Sequence, residues 1–236
     1  MSDTPTTHEH IIKSYDEELA RLTGEIVRMG ELAVAQIQAA CTAVAHRDPE
    51  GARVVVANDA LIDQLEHSIG HDVVRLLALR APMAGDLRSI FAALRIAAEI
   101  ERIGDHAANI AKRAIALSMV APMESSSALA PLGTLAAAAV RKVLQAYRDG
   151  DAASAHQVWA GDAELDHAYT RYFQRLIACM QDDPRHVAPC AHLLFMAKSI
   201  ERIGDHATNI AENVWFQVNG EPLQGQRDNR DLTTDG

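Results

Sequence analysis

Twelve residues that occur twice constrain this chain more than anything else in it. Ile100-Glu101-Arg102-Ile103-Gly104-Asp105-His106-Ala107-Ala108-Asn109-Ile110-Ala111 returns one hundred positions later as Ile200-Glu201-Arg202-Ile203-Gly204-Asp205-His206-Ala207-Thr208-Asn209-Ile210-Ala211, and the copies differ only at Ala108 and Thr208. That period is too long for the ~20 to 50 residue units of solenoids and propellers, and two copies are too few for an open array. The chain reads as a duplicated module, and its 236 residues suffice for two modules of roughly 100 residues each.

The surroundings of both copies are helical. Residues are 48% hydrophobic but only 4% aromatic, and long stretches rich in Ala and Leu lack Gly and Pro, which predicts an all-α fold. After a disordered start, Ile12, Tyr15, Leu19, Leu22, Ile26, Met29, Ala33 and Ile37 recur at helical spacing and predict a helix over 11–45, stopped by Arg47-Asp48-Pro49. A second helix is expected over 50–79 and is broken at Arg80-Ala81-Pro82, because proline lacks an N–H and disfavours a helical residue before it. A third, over 84–119, carries the first motif; proline and serine then mark a linker over 121–127. Three more helices are expected over 132–148, 152–180 and 186–218, the last with the second motif. A 30-residue helix is ~45 Å long, and three joined by tight turns pack antiparallel to bury their apolar stripes. The predicted architecture is two tandem antiparallel three-helix bundles related by internal duplication, residues 8–120 and 128–218, with 219–236 a disordered tail.

The net charge of −10 and the lack of a basic cluster interleaved with aromatics argue against nucleic-acid binding. The longest apolar runs, such as 135–140, are far short of the ~20 residues that span a bilayer. The polar start, with Asp3 and Glu9, is not a signal peptide. A cytoplasmic protein without membrane insertion is expected. Cys41, Cys179 and Cys190 form no CxxC pair and read as reduced, buried small side chains.

On a wheel of 100° per residue, Ile100, Ile103, Ala107, Ile110 and Ala111 mark the core side, while Glu101 and Asp105 point away from it, as do Glu201 and Asp205. Like charges at i and i+4 cost a helix ~0.2–0.5 kcal/mol. Gly104 and Gly204 each cost ~1 kcal/mol against alanine, a sign that something approaches the backbone there. The preceding helix of each half carries a matching pair, Asp59 with Asp63 and Asp162 with Asp166. If the two helices are neighbours, each bundle gathers four carboxylates, which repel one another unless a cation or basic side chains intervene. All-oxygen sets suit hard cations such as Mg²⁺, Mn²⁺ or iron. The alternatives are ion pairs to Arg95, Arg102, Arg202 or Lys198, or a plain solvated helix face. His106 and His206 fall nearer the core edge and read as packed side chains, His67 and His71 as surface, and Asn109 and Asn209 as links to a neighbouring helix.

No Gly-x-Ser-x-Gly, phosphate-cradling glycine loop or suitable Cys/His couple is present. A di-iron carboxylate site needs two Glu-x-x-His elements in its bundle, and only Glu164-x-x-His167 fits. No catalytic residue is assigned; a metal-storing or structural helical protein, and less readily a carboxylate-metal enzyme, stay as alternatives to a binding role.

The doubled Glu-Arg-Ile-Gly-Asp-His-Ala-x-Asn-Ile, Asn58-Asp59-Ala60-Leu61-Ile62-Asp63-Gln64-Leu65-Glu66 and Ala78-Leu79-Arg80-Ala81-Pro82-Met83-Ala84-Gly85-Asp86-Leu87-Arg88 together resemble the PhoU family, over about residues 10–218. The resemblance implies two pseudo-symmetric three-helix bundles, a homodimer, and metal bound at Asp59, Asp63, Glu101, Asp105, Asp162, Asp166, Glu201 and Asp205. It further implies a negative regulator of the phosphate-starvation response, coupling the ATPase subunit of the high-affinity phosphate ABC transporter to the sensor histidine kinase. Asp86-Leu87-Arg88 has no counterpart at His186-Val187-Ala188, so the two halves are not expected to bind alike.

Overall fold

A computed structural model of the chain describes residues 7–80 and 84–225. Of the disordered start expected before residue 11, residues 1–6 lie outside the described residues and 7–10 are corrected to helix; positions 81 and 82 of the expected break at 80–82 lie outside them too, as does the expected 219–236 tail from 226 onward. Among them every regular element is helical: α1 (Thr7–His46), α2 (Pro49–Arg80), α3 (Ala84–Ser118), α4 (Leu129–Asp149), α5 (Ala152–Ala160), α6 (Ala163–Asp182) and α7 (Val187–Asn219), with short 3-10 helices at Glu124–Ala128 and Pro184–His186.

Local chemistry marks several helix ends. Arg47 takes a left-handed φ of 54°, and Asp48 Oδ1 accepts the N–H groups of Glu50 and Gly51, both at 3.0 Å, capping α2. The Arg47 guanidinium donates back to the carbonyls of Ser118 and Val120, pinning the α1–α2 turn to the end of α3. Gly150 and Gly220, with φ of 62° and 76°, terminate α4 and α7 in the conformation glycine adopts without steric cost.

The sequence expectation of one helix over 152–180 is corrected. The chain breaks at Gly161, where the N–H closes onto the carbonyls of Gln157 and Val158 and Asp162 makes no side-chain cap at the start of α6. A glycine followed by an aspartate is a weak place for a helix with little packing to hold it, and Gly161 is exposed. The second half therefore has four helices where the first has three.

α1, α2 and α3 pack on one another, α4, α5 and α6 pack on α7, and the halves join through α1 against α4 and α3 against α7. The two motif helices thus lie side by side at the centre, antiparallel: Ser89 meets Gln217, Glu99 meets Asn209 and Arg113 meets Phe195. The stripe predicted on α1 is the one that is buried, through Leu22, Ile26, Met29, Ala33 and Ile37, each large aliphatic contributing about 1.5–3 kcal/mol. Buried side chains of both halves form one connected apolar cluster. The linker is packed rather than loose, with Tyr172 donating its hydroxyl to the Ser125 carbonyl at 3.0 Å. The stretch Ser125–Asp149 is, by length and composition alone, apolar enough to cross a bilayer. Here its apolar stripe, with Leu132, Ala136, Val140 and Val143, belongs to the core.

Candidate functional site: two acidic grooves

Gly104 and Gly204 let the helices come together. A Cβ on Gly104 would stand 2.8 Å from Ile62 Cδ1 and 3.6 Å from Asp59 Oδ1; one on Gly204 would stand 2.5 Å from Leu165 Cδ2 and 3.3 Å from Asp162 Oδ1. The same glycine thus seats α2 on α3 and α6 on α7, and at both places it brings an aspartate of one helix over the acidic turn of the other.

The eight predicted carboxylates fall into two groups of four. In the first groove, burial chiefly, then repulsion from Asp105 and Asp63, raises the Asp59 pKa against a weak opposing pull from Lys112. Glu101 is raised likewise, by burial and then by Asp105, Asp63 and Glu66. Asp59 Oδ1 is buried without a hydrogen-bond partner among the described residues. In the second groove Asp166 is pushed up to about 6, by burial first and then by Asp162, Glu201 and Asp205. The expectation that the motif carboxylates point clear of their bundles is corrected: Asp59, Glu101, Asp162, Asp166, Glu201 and Asp205 are half-buried between helices, and only Asp63 and Asp105 are exposed. A wheel drawn on one helix omits the neighbouring helix that covers its flank.

The grooves differ in their cations. Lys198 Nζ lies 2.8 Å from Glu201 Oε1 and Arg202 Nη1 lies 3.2 Å from Asp205 Oδ2, so ion pairs offset part of the second cluster. The position matching Lys198 is Ala98, and Arg102 turns to Glu99 at 3.7 Å. Among the described residues no salt bridge reaches Asp59, Asp63, Glu101 or Asp105. The donor set suits a hard cation in its chemistry, with all-carboxylate oxygens, a partnerless buried oxygen and mutual repulsion. Its side chains are not gathered for one: among the described residues no three His, Cys, Asp or Glu groups converge as a metal would require.

The raised Asp166 pKa has a consequence for stability. A carboxyl that holds its proton more tightly when folded stabilises the fold below its unfolded pKa of 3.8, and that contribution is lost as pH rises through about 6. Asp166→Asn removes the charge that is penalised at neutral pH. After discounting for solvent screening, the variant is expected to be more stable by about 1 kcal/mol at pH 7, with no gain at pH 4. Thermal unfolding at the two pH values checks this; an equal change at both contradicts it.

Between the grooves lies a link that sequence reasoning missed. Glu99, on α3, accepts from His206 Nδ1 at 2.7 Å and from Asn209 Nδ2 at 3.0 Å, both on α7. Since a carboxylate only accepts, Nδ1 carries the hydrogen. Burial alone would raise the Glu99 pKa, but the bonds from His206 and Asn209 outweigh it and hold the carboxyl below its usual range. The rings of His106 and His206 stack across the same contact, centroids 5.4 Å apart. Among the described residues His106 has no such carboxylate: the position matching Glu99 is Ser199, the His106 Nδ1 is buried without a hydrogen-bond partner, and burial with the nearby His206 lowers the His106 pKa to about 4. The signal was present in the sequence as the Glu99/Ser199 mismatch one residue before the repeat. Asn209 does link two helices as expected; Asn109 is exposed. A cleft of about 720 Å³ beside this link takes in Arg95, Arg102 and Asn213, which places Arg95 away from the acidic grooves. At the α6–α7 turn Cys179 Sγ lies 3.5 Å from His186 Nδ1, a contact that sequence spacing did not single out.

Two helical modules built on one repeated motif and joined through their motif helices define the class of protein. The PhoU domain model matches residues 26–114 and 129–214. The chain belongs to the PhoU family. It is 56% identical over 225 residues to the phosphate-specific transport system accessory protein PhoU homolog of Xylella fastidiosa, covering 95% of each chain. To that of Caulobacter vibrioides it is 46% identical, covering 95% of this chain and 98% of the relative. The crystal structure of PhoU from Pseudomonas aeruginosa superposes with a TM-score of 0.84 at 33% identity, covering 88% of this chain and 100% of that one. The phosphate transport system regulatory protein PhoU from Streptococcus pneumoniae gives 0.81 at 27% identity, covering 89% and 99%.

Proposed function

We propose that this protein is a cytoplasmic, homodimeric signalling adaptor of phosphate transport. In this reading it couples the ATPase subunit of the high-affinity phosphate ABC transporter to the sensor histidine kinase, and so holds the phosphate-starvation response off when phosphate is plentiful. The observation that carries the reading is the near end-to-end match to relatives named as accessory proteins of the phosphate-specific transport system. An adaptor works through its surfaces rather than through a reacting centre.

The grooves are the proposed responsive element. Side chains that are not gathered for a cation as described would have to draw together around it: Asp59, Asp63, Glu101 and Asp105 on a hard divalent cation or iron in the first half, and Asp162, Asp166, Glu201 and Asp205 in the second, the bound ion supplying positive charge that relieves their repulsion. Support comes from the raised pKa values of Asp59, Glu101, Asp166 and Glu201. The first groove, without ion pairs, is the one expected to take up a cation more readily.

A strain lacking the protein is expected to express a phosphatase reporter of the starvation response in excess phosphate, and the wild-type chain to restore repression. Metal content of the chain purified from the same strain reads the cation part separately. Normal repression in the deletion strain refutes the regulatory role.

A further inference from the structure

The two halves differ along the face that runs from each acidic groove toward the end of its helix pair. In the first half Asp59, Asp63, Glu66, Gly70, Val74 and Leu77 recur every three or four residues and share one side of α2. On α3, Leu87, Phe91, Leu94, Glu101 and Asp105 recur every three, four or seven residues and do the same. Gly104 meets Ile62 and Asp59, and α2 and α3 pack as an antiparallel pair, so the carboxylates lie at one end of this face and the apolar side chains at the other. Val74, Leu77, Leu87, Phe91 and Leu94 are 36–65% exposed, an apolar patch where a soluble surface ordinarily scatters such residues. Between the ends stand only Gly70 and Ala98. A Cβ on Gly70 would meet nothing within 4 Å, so packing among the described residues does not require a glycine that weakens its helix.

The second half closes the same face with its own side chains. Phe173 takes the place of Gly70, half-buried, with its ring 6.2 Å from that of Tyr169, which takes the place of Glu66 and is buried. Lys198 takes the place of Ala98, its ammonium 2.8 Å from Glu201 Oε1 and 5.4 Å from the centre of the Tyr169 ring. Ala191 replaces the exposed Phe91, and half-buried Ile177 and Met180 replace Val74 and Leu77. The second groove thus carries its own ring and its own cation. The first carries neither, and among the described residues no salt bridge reaches its four carboxylates.

We infer that this face of α2 and α3 docks an amphipathic helix of a partner protein, its apolar side on Val74, Leu77, Phe91 and Leu94 and its Lys or Arg end over the carboxylates of the first groove. From Leu87 to Asp105 the face is about 27 Å long, the length of a helix of about 18 residues. Charge selects this occupant: a second copy of a chain of net charge −10, or an anionic lipid surface, would set like charge against these carboxylates. In the adaptor reading, on which this rests, the helix belongs to one of the proteins that the adaptor couples.

Two variants test the face without touching a carboxylate. Gly70→Phe copies Phe173 into open space, and the doubly substituted Phe91→Ser, Leu94→Ser chain removes exposed apolar groups, so both are expected to fold. The probes are labelled helical peptides of about 18 residues, leucines on one face of one half and lysines on the same face of the other, made in both orders. With the full chain freed of metal by chelator, one order is expected to bind, more weakly as salt is raised. Each variant is expected to bind it about tenfold less tightly, the scale of losing a central contact, and a peptide with glutamates for lysines is expected not to bind. In the deletion strain, at matched protein level and excess phosphate, each variant is expected to leave the phosphatase reporter on. Failure of both peptide orders to bind, equal affinity for wild type and variants, or binding of the glutamate peptide overturns the docking face. Full repression by both variants overturns it too while leaving the adaptor reading intact, since that reading falls only if the strain with no protein represses normally. A variant that sediments as a monomer where wild type is a dimer assigns the face to a second copy and also overturns it.

Discussion

Gly204→Val is expected to destabilise the protein by about 2–3 kcal/mol, the scale of forcing extra methyl groups into a packed site. A Cβ there already stands 2.5 Å from Leu165 Cδ2, and Leu165 is 5% exposed, so the leucine has little room to turn away. Alanine is a milder case, since its gain of ~1 kcal/mol in helix propensity offsets part of the displacement. Valine gains less, and its two methyl groups press on Leu165 and on Asp162 at the start of α6. The helix has no side-chain cap and no continuous α5 to hold it. Separation of α6 from α7 is the expected relief. For a chain of this size the loss corresponds to a fall in Tm of about 5–10 °C. An unchanged Tm would mean that the close approach is not needed. Gly104→Val is expected to cost less, because the nearest atom is the Cδ1 end of Ile62 at 2.8 Å and α2 runs unbroken past it.

Glu99→Ala is expected to cost about 2–3 kcal/mol at pH 7, because it leaves charge-assisted hydrogen bonds unmade and their donors poorly solvated. The side chains of Glu99 and His206 are 15% and 13% exposed, so water replaces the lost acceptor only in part. The pH dependence carries a sign. A carboxyl held below its usual value stabilises the fold above its unfolded pKa of 4.5, and that contribution is lost as pH falls through the lowered folded value. The gap between wild type and Glu99→Ala is therefore widest near neutrality and narrows in acid. Chemical unfolding at pH 7 and pH 4 measures both; a gap that widens in acid would contradict the assignment. Ser199→Glu is the mirror change in the repeat, aimed at giving half-buried His106, whose Nδ1 has no hydrogen-bond partner among the described residues, the kind of acceptor that His206 already has.

Much of this fold is legible in the sequence because helical periodicity and proline breaks are local. The α1 stripe from Leu22 to Ile37, the stop at Arg47-Asp48-Pro49 and the pairing of each motif with an acidic pair on the preceding helix follow from spacing alone. Gly104 and Gly204 were readable too, since a helix keeps a mid-helix glycine only where a gain offsets its cost, and the gain here is the approach of Asp59 and Asp162. What spacing does not carry is the contact between distant elements. The α3–α7 packing that joins the halves, the stacked His106 and His206, and Glu99 reaching across to α7 depend on how two bundles dock. The break at Gly161 escaped because apolar periodicity continues across it. The half-burial of the carboxylates escaped because a wheel describes one helix and burial is a property of two.

The two grooves carry the proposed function, and their unequal charge makes the claim specific. Removing one carboxylate from each, Asp105→Ala together with Asp205→Ala, takes away exposed or half-exposed charge and frees Arg202, without opening a core cavity. In a deletion strain grown in excess phosphate and carrying this doubly substituted chain, at a level matched to wild type by immunoblot, the phosphatase reporter is the measurement that decides. The account predicts that the reporter stays on, as in the strain with no protein at all. Repression equal to that given by the wild-type chain would contradict it.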